Sequence, residues 1–119
     1  MTFIWSTLHV RDMETSLRFY REVLGLEPER QFQTGDGRHI AFLDSGSTKI
    51  ELICDGTGKA VDAGKDISLG FAVPSLDDAM RLLQQKGIPV TGPIQPNPSV
   101  RFVYVTDPDG MKIQLVENR

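Results

Sequence analysis

Cysteine is nearly absent: Cys54 stands alone in 119 residues. No internal disulfide can form, which fits a reducing compartment such as the cytoplasm. No apolar run approaches the roughly 18 residues that a membrane helix needs. No signal-like segment opens the sequence either, since "MTFIWSTLHV" already reads as a strand. Basic residues are too few to form a run: 13 Lys and Arg face 16 Asp and Glu, a net charge of −3. Nucleic acid and anionic membrane are therefore poor partners. No segment is low in complexity. What is present is the composition of a globular domain, 39% hydrophobic and 24% charged, long enough to bury a core without staples.

The chain reads as strands and helices in a fixed order. Residues 2–10 form a strand pattern. "RDMETSLRFYREVLGL" then turns helical, with Met13, Leu17, Tyr20 and Leu24 on one face. Asp12 suits its N-cap and Gly25 its end. Strand patterns follow around 29–34, 38–44 and 48–54, separated by the turns "TGDG" and "DSGS". Residues 55–66 form a linker.

The pattern then restarts. "ISLGFAV" is a strand, and 74–87 a helix with Ser75 as N-cap and Asp78 three residues on, in the manner of a capping box. Gly87 stops it. "IPVTGPI", "VRFVYVT" and "MKIQLVE" give three more strands, with "QPNPS" and "DPDG" as turns. The order βαβββ thus occurs twice. "KIEL" at Lys49 recurs as "KIQL" at Lys112, 63 residues on. The expected fold is α+β: two βαβββ half-modules, about 1–54 and 67–119, in one domain over 1–119. They are expected to form a cup-shaped, mostly antiparallel sheet with helices on the outer face.

Alternation assigns faces. Ile50 and Leu52 bury, so Glu51 faces the open side; Ile113 and Leu115 bury, so Gln114 does too. In the first strand Leu8 and Val10 bury, leaving Trp5, Thr7 and His9 open. In the fifth, Leu69, Phe71 and Val73 bury, leaving Ser68, Gly70 and Ala72 open. Phe102 and Tyr104 are candidates for the same wall, although their strand alternates weakly. Cys54 falls on the helix side, as a small buried apolar group. Two open faces of this kind form a natural small-molecule pocket.

In three stretches, "HVRDMETSLRFYREVLGL", "KIELIC" and "DPDGMKIQLVE", the chain resembles the vicinal oxygen chelate superfamily. That superfamily includes glyoxalase I, extradiol dioxygenases and bleomycin-resistance proteins. The three motifs in order are specific for the fold, not for a reaction. The resemblance implies a metal site in the catalytic members, with His or Gln, Glu, His and Glu as ligands. The matching positions here are Trp5, Glu51, Ser68 and Gln114. Only Glu51 is a strong ligand, and catalytic metals generally want three. The expected cofactor is therefore none, with weak divalent metal at Glu51 left open. An Arg and an Asn that help hold glutathione in glyoxalase I are matched by His9 and Asp55, which argues against glutathione as substrate. The resemblance also implies a homodimer.

Each candidate has a plainer reading beside the functional one. Trp5 is a stacking platform, or it is sheet packing or a dimer contact. Glu51 is a general base or ligand anchor, or it is a surface carboxylate paired with Lys49 or Lys112. Gln114, Ser68 and His9 contact a ligand, or are ordinary polar strand residues. A different metal set, His9, His39 and Glu51, has no spacing to enforce it. Three functions follow. One is a metal-free binder of a small planar or aromatic molecule. The second is a lyase or isomerase acting on a small carbonyl compound with Glu51 as base. The third is a protein-interaction subunit with an unused cup.

Overall fold

The computed structural model describes residues 1–118. It divides into two compact units, residues 1–63 and Gly64 onward. Unit 1 holds β1 (Trp5–His9), α1 (Met13–Glu22), β2 (Glu27–Gln33), β3 (His39–Asp44) and β4 (Lys49–Cys54). Unit 2 holds β5 (Ser68–Ala72), α2 (Leu76–Gln85), β6 (Thr91–Asn97), β7 (Val100–Thr106) and β8 (Lys112–Asn118). Each unit has one four-stranded sheet, ordered β1-β4-β3-β2 and β5-β8-β7-β6. The pairs β1–β4 and β5–β8 are parallel and the rest antiparallel. The repeated βαβββ order is thus a repeated topology.

Both helices start where the sequence predicts. Asp12 caps α1: its carboxylate accepts from the Thr15 amide at 2.9 Å and the Thr15 hydroxyl at 2.6 Å. Ser75 Oγ accepts from the Asp78 amide at 3.2 Å at the start of α2. The Asp78 carboxylate pairs with Arg81, so the outer half of the expected capping box is turned into an i,i+3 ion pair. The α1 face is rotated from the predicted one. Met13, Ser16, Phe19 and Tyr20 are buried, while Leu17 and Leu24 are only half-buried. Phe19 and Tyr20 meet edge to face at 5.2 Å.

The core of unit 1 includes Tyr20, Leu43, Leu52, Ile50 and Ala41; that of unit 2 includes Leu76, Leu83, Val103, Ile113 and Leu115. The last strand is entered through a turn built on buried Asp107. Its carboxylate accepts from the Asp109 amide at 2.9 Å and the Met111 amide at 2.8 Å. The sixth strand differs from the expected 88–94. It begins at Thr91 and runs through Gln95–Asn97, which the sequence suggests as turn. Pro93 and Pro96 have no amide to donate, and β6 accommodates them because it is an edge strand with an irregular register.

Candidate functional site

Each unit presents one open sheet face. In unit 1 a row of paired residues crosses all four strands: Thr7 opposite Glu51, Glu51 opposite Phe42, Phe42 opposite Arg30. The Thr7 hydroxyl donates to Glu51 Oε1 at 2.6 Å. Trp5 and Phe42 meet edge to face with centroids 5.3 Å apart. The Arg30 guanidinium lies 5.1 Å from the Phe32 ring centroid and 5.2 Å from that of Phe42. Half-buried Glu51 on β4 therefore sits opposite the Thr7 hydroxyl on β1 and opposite Phe42 on β3, whose ring meets Trp5 of β1. Trp5 is 43% exposed, enough ring to meet a ligand. His9 lies further along β1, exposed and opposite Ile53.

The two lysines expected as partners of Glu51 are engaged elsewhere. Lys49 Nζ lies 2.9 Å from Asp44 and 3.4 Å from Glu29. The hydrogen bond from Lys49 is the main cause holding the Asp44 carboxyl below its ordinary value, and it likewise raises the lysine. Lys112 belongs to unit 2 and lies 4.3 Å from the centroid of Tyr104.

Unit 2 repeats the row with different chemistry: Gly70 opposite Gln114, Gln114 opposite Tyr104, Tyr104 opposite Thr91. A Cβ on Gly70 would stand 3.4 Å from Gln114 Oε1, so glycine leaves that oxygen room. Phe102 and Tyr104 lie on this face, edge to face at 5.5 Å, because Val103 and Val105 take the buried side. Ser68 is exposed and opposite Lys112.

Sequence reasoning missed Phe42, Arg30 and Phe32. "HIAFLD" is apolar on both faces, with Ile40, Ala41 and Leu43 all buried, so alternation assigns no side to Phe42. Only its register opposite Glu51 does. The alternative set His9, His39 and Glu51 is not assembled. His39 lines a cavity of about 700 Å³ with Met13, Leu17, Arg18 and Glu27, on the α1 side of the sheet. Among the described residues no three His, Cys, Asp or Glu side chains converge on a metal position.

The glyoxalase/bleomycin resistance protein/dioxygenase superfamily model matches residues 3–115. The chain belongs to this superfamily. A lactoylglutathione lyase of Neisseria meningitidis is 32% identical over all of this chain and 92% of its own length. A lactoylglutathione lyase of Salmonella typhimurium is 29% identical over 98% of this chain and 93% of its own. Among solved structures, Leishmania major glyoxalase I superposes with a TM-score of 0.86 at 21% identity, covering 98% of this chain and 86% of that one. TnmS3, an antibiotic-binding protein from Streptomyces sp. CB03234, does so at 0.76 and 22%, covering 100% and 97%. These two establish the fold.

For a glyoxalase-superfamily chain the metal question turns on donors. The carried-over positions supply an indole, a carboxylate, a hydroxyl and an amide, at Trp5, Glu51, Ser68 and Gln114. That set does not fit a catalytic transition metal, which takes several His, Cys or carboxylate ligands. The one carboxylate already accepts a hydrogen bond from Thr7. Among the described residues no helix is long and apolar enough to cross a membrane.

Proposed function

We propose that this superfamily member binds a small planar or aromatic molecule on its open sheet faces, without a metal. The carrying observation is the Trp5–Phe42 pair beside the Thr7-bound Glu51 carboxylate. Exposed indole gives a stacking surface, and Glu51 a directional acceptor next to it. In unit 2, Phe102, Tyr104 and Gln114 offer the same combination in neutral form. Trp5 is the sole tryptophan, so its emission reports the site directly. Titration with a broad set of aromatic compounds should quench or shift it; emission unmoved by all of them would overturn the reading. Elemental analysis, then calorimetry with Zn²⁺, Ni²⁺, Mn²⁺ and Fe²⁺, should give no tight stoichiometric binding.

A second reading is a lyase or isomerase acting on a small carbonyl compound, with Glu51 moving the proton beside the carbonyl. It is favoured by the curated relatives, named lactoylglutathione lyases, and by the retention of Glu51 at half-burial. Proton transfer by such a group contributes typically about 10²–10⁴-fold. His9 and Asp55 argue against glutathione as the substrate's carrier. The working form in this reading is a cytoplasmic homodimer, checked by light scattering; a monomer at assay concentration would remove that part.

A further inference from the structure

We propose that the open face of unit 2 takes an anionic ligand group, a carboxylate or a phosphate, on Lys112 and Lys65. The observation that carries this is a difference between the two halves. In unit 1 the ladder pair Asp44–Lys49 is an ion pair at 2.9 Å. The matching ladder pair in unit 2 is Thr106–Lys112, with a hydroxyl in place of the carboxylate. Lys49 is thus an internal control for what this strand-initial lysine does when its role is structural. Lys112 has lost that partner and rests on the Tyr104 ring instead, 4.3 Å from its centroid. A ring face holds an ammonium in place without neutralising it.

The surroundings make a site of this cation. Lys112 lines a cavity of about 350 Å³ together with Lys65, Thr91, Tyr104, Thr106 and Gly110. Two lysines and two threonines line it, and among the described residues no Asp or Glu does. Neither lysine is in an ion pair among the described residues. An oxyanion can accept from both cations and both hydroxyls, and hydrogen bonds to charged groups are the strong ones. Tyr104 lines the cavity and is also opposite Gln114 in the site row. A planar ligand lying on Phe102 and Tyr104 would therefore carry its acid group into this cavity. The inference rests on the proposed small-molecule binding and names the ligand's chemical class: a planar acid.

The test follows backbone amide shifts of residues 64–65, 104–106 and 112 in the full chain. The probes are benzoate, benzamide, phenyl phosphate, acetate and inorganic phosphate. The inference expects benzoate or phenyl phosphate to move these amides, and benzamide to bind at least about tenfold more weakly, the worth of one charged hydrogen bond. Which of the two anions binds tighter separates a carboxylate site from a phosphate site. Lys112→Met should cost about tenfold in affinity and Lys112→Arg should restore most of it. Thr106→Asp, which rebuilds the unit 1 ion pair, should abolish anion binding while leaving the fold intact by circular dichroism. If benzoate and benzamide bind equally and neither substitution matters, the anion site is overturned while aromatic binding stands. If acetate or inorganic phosphate binds as tightly as its aromatic counterpart, the anion site stands and the planar reading fails. If no probe moves any amide, both fall.

Discussion

The Thr7 hydroxyl donates to Glu51 across the parallel pair β1–β4, over a sequence separation of 44 residues. This bond orients the Glu51 carboxylate on the open face of unit 1, so it separates the two functional readings. Glu51→Gln keeps an oxygen that can accept from Thr7 and removes only the charge. As a ligand anchor, the variant should hold neutral aromatic ligands within about threefold, since a neutral hydrogen bond is worth little net. As a general base, it should lose about 10²-fold or more in turnover. Calorimetry and a carbonyl-substrate assay on the same sample decide. Turnover left intact ends the enzyme reading.

The aromatic pair yields its own test. Phe42→Leu retains apolar volume but removes the ring that meets Trp5 edge to face. Such a pair contributes about 0.5–1.5 kcal/mol beyond burial. Urea denaturation should show a loss of that order, and Trp5 emission should shift to the red as the indole gains water. An unchanged spectrum would mean the ring does not constrain Trp5.

Acid should weaken the start of α1. The Thr15 hydroxyl, then the Thr15 amide, hold the Asp12 carboxyl below its ordinary value of 3.8. A depressed folded value means the cap's charge-linked stability is complete above 3.8 and is lost as pH falls through the lower folded value. Asp12→Asn keeps an N-cap acceptor without the charge. Wild type should therefore exceed the variant in urea midpoint at neutral pH, and the gap should narrow as pH falls below 3.8 and close only below the lowered folded value. A gap independent of pH would show that the charge is not used.

The turn before β8 is a stability element. Asp107→Ala removes the acceptor of the Asp109 and Met111 amides. Leaving buried donors unsatisfied costs about 1–3 kcal/mol each. Asp107→Asn, which keeps an oxygen, should recover part of the loss in the same denaturation assay. Equal losses for both variants would mean that the charge, not the acceptor, is what the turn needs.

Alternation carried much of this fold into view. Glu51 and Gln114 face where period-two patterning puts them, because Ile50 and Leu52, and Ile113 and Leu115, take the buried side. The method stops where both faces are apolar. Phe42 sits in such a run and becomes visible only through its pairing with Glu51. The α1 stripe is legible at Met13 and Tyr20 but not at Ser16, a polar residue that hydropathy does not mark as buried. The Lys49–Lys112 repeat could be read in the sequence; that one is ion-paired and the other is not depends on Asp44 and Thr106, each brought opposite its lysine by ladder register.

In both sheets the strand that comes latest in the chain is an interior strand: β4 lies between β1 and β3, and β8 between β5 and β7. Neither sheet can be laid down from one edge to the other as the polypeptide emerges from a ribosome. Until β8 is available, β5 and β7 are both without the neighbour that joins them. Because long-range pairings of this kind are slow to form, the growing chain holds open strand edges in each half until that half's last strand has emerged.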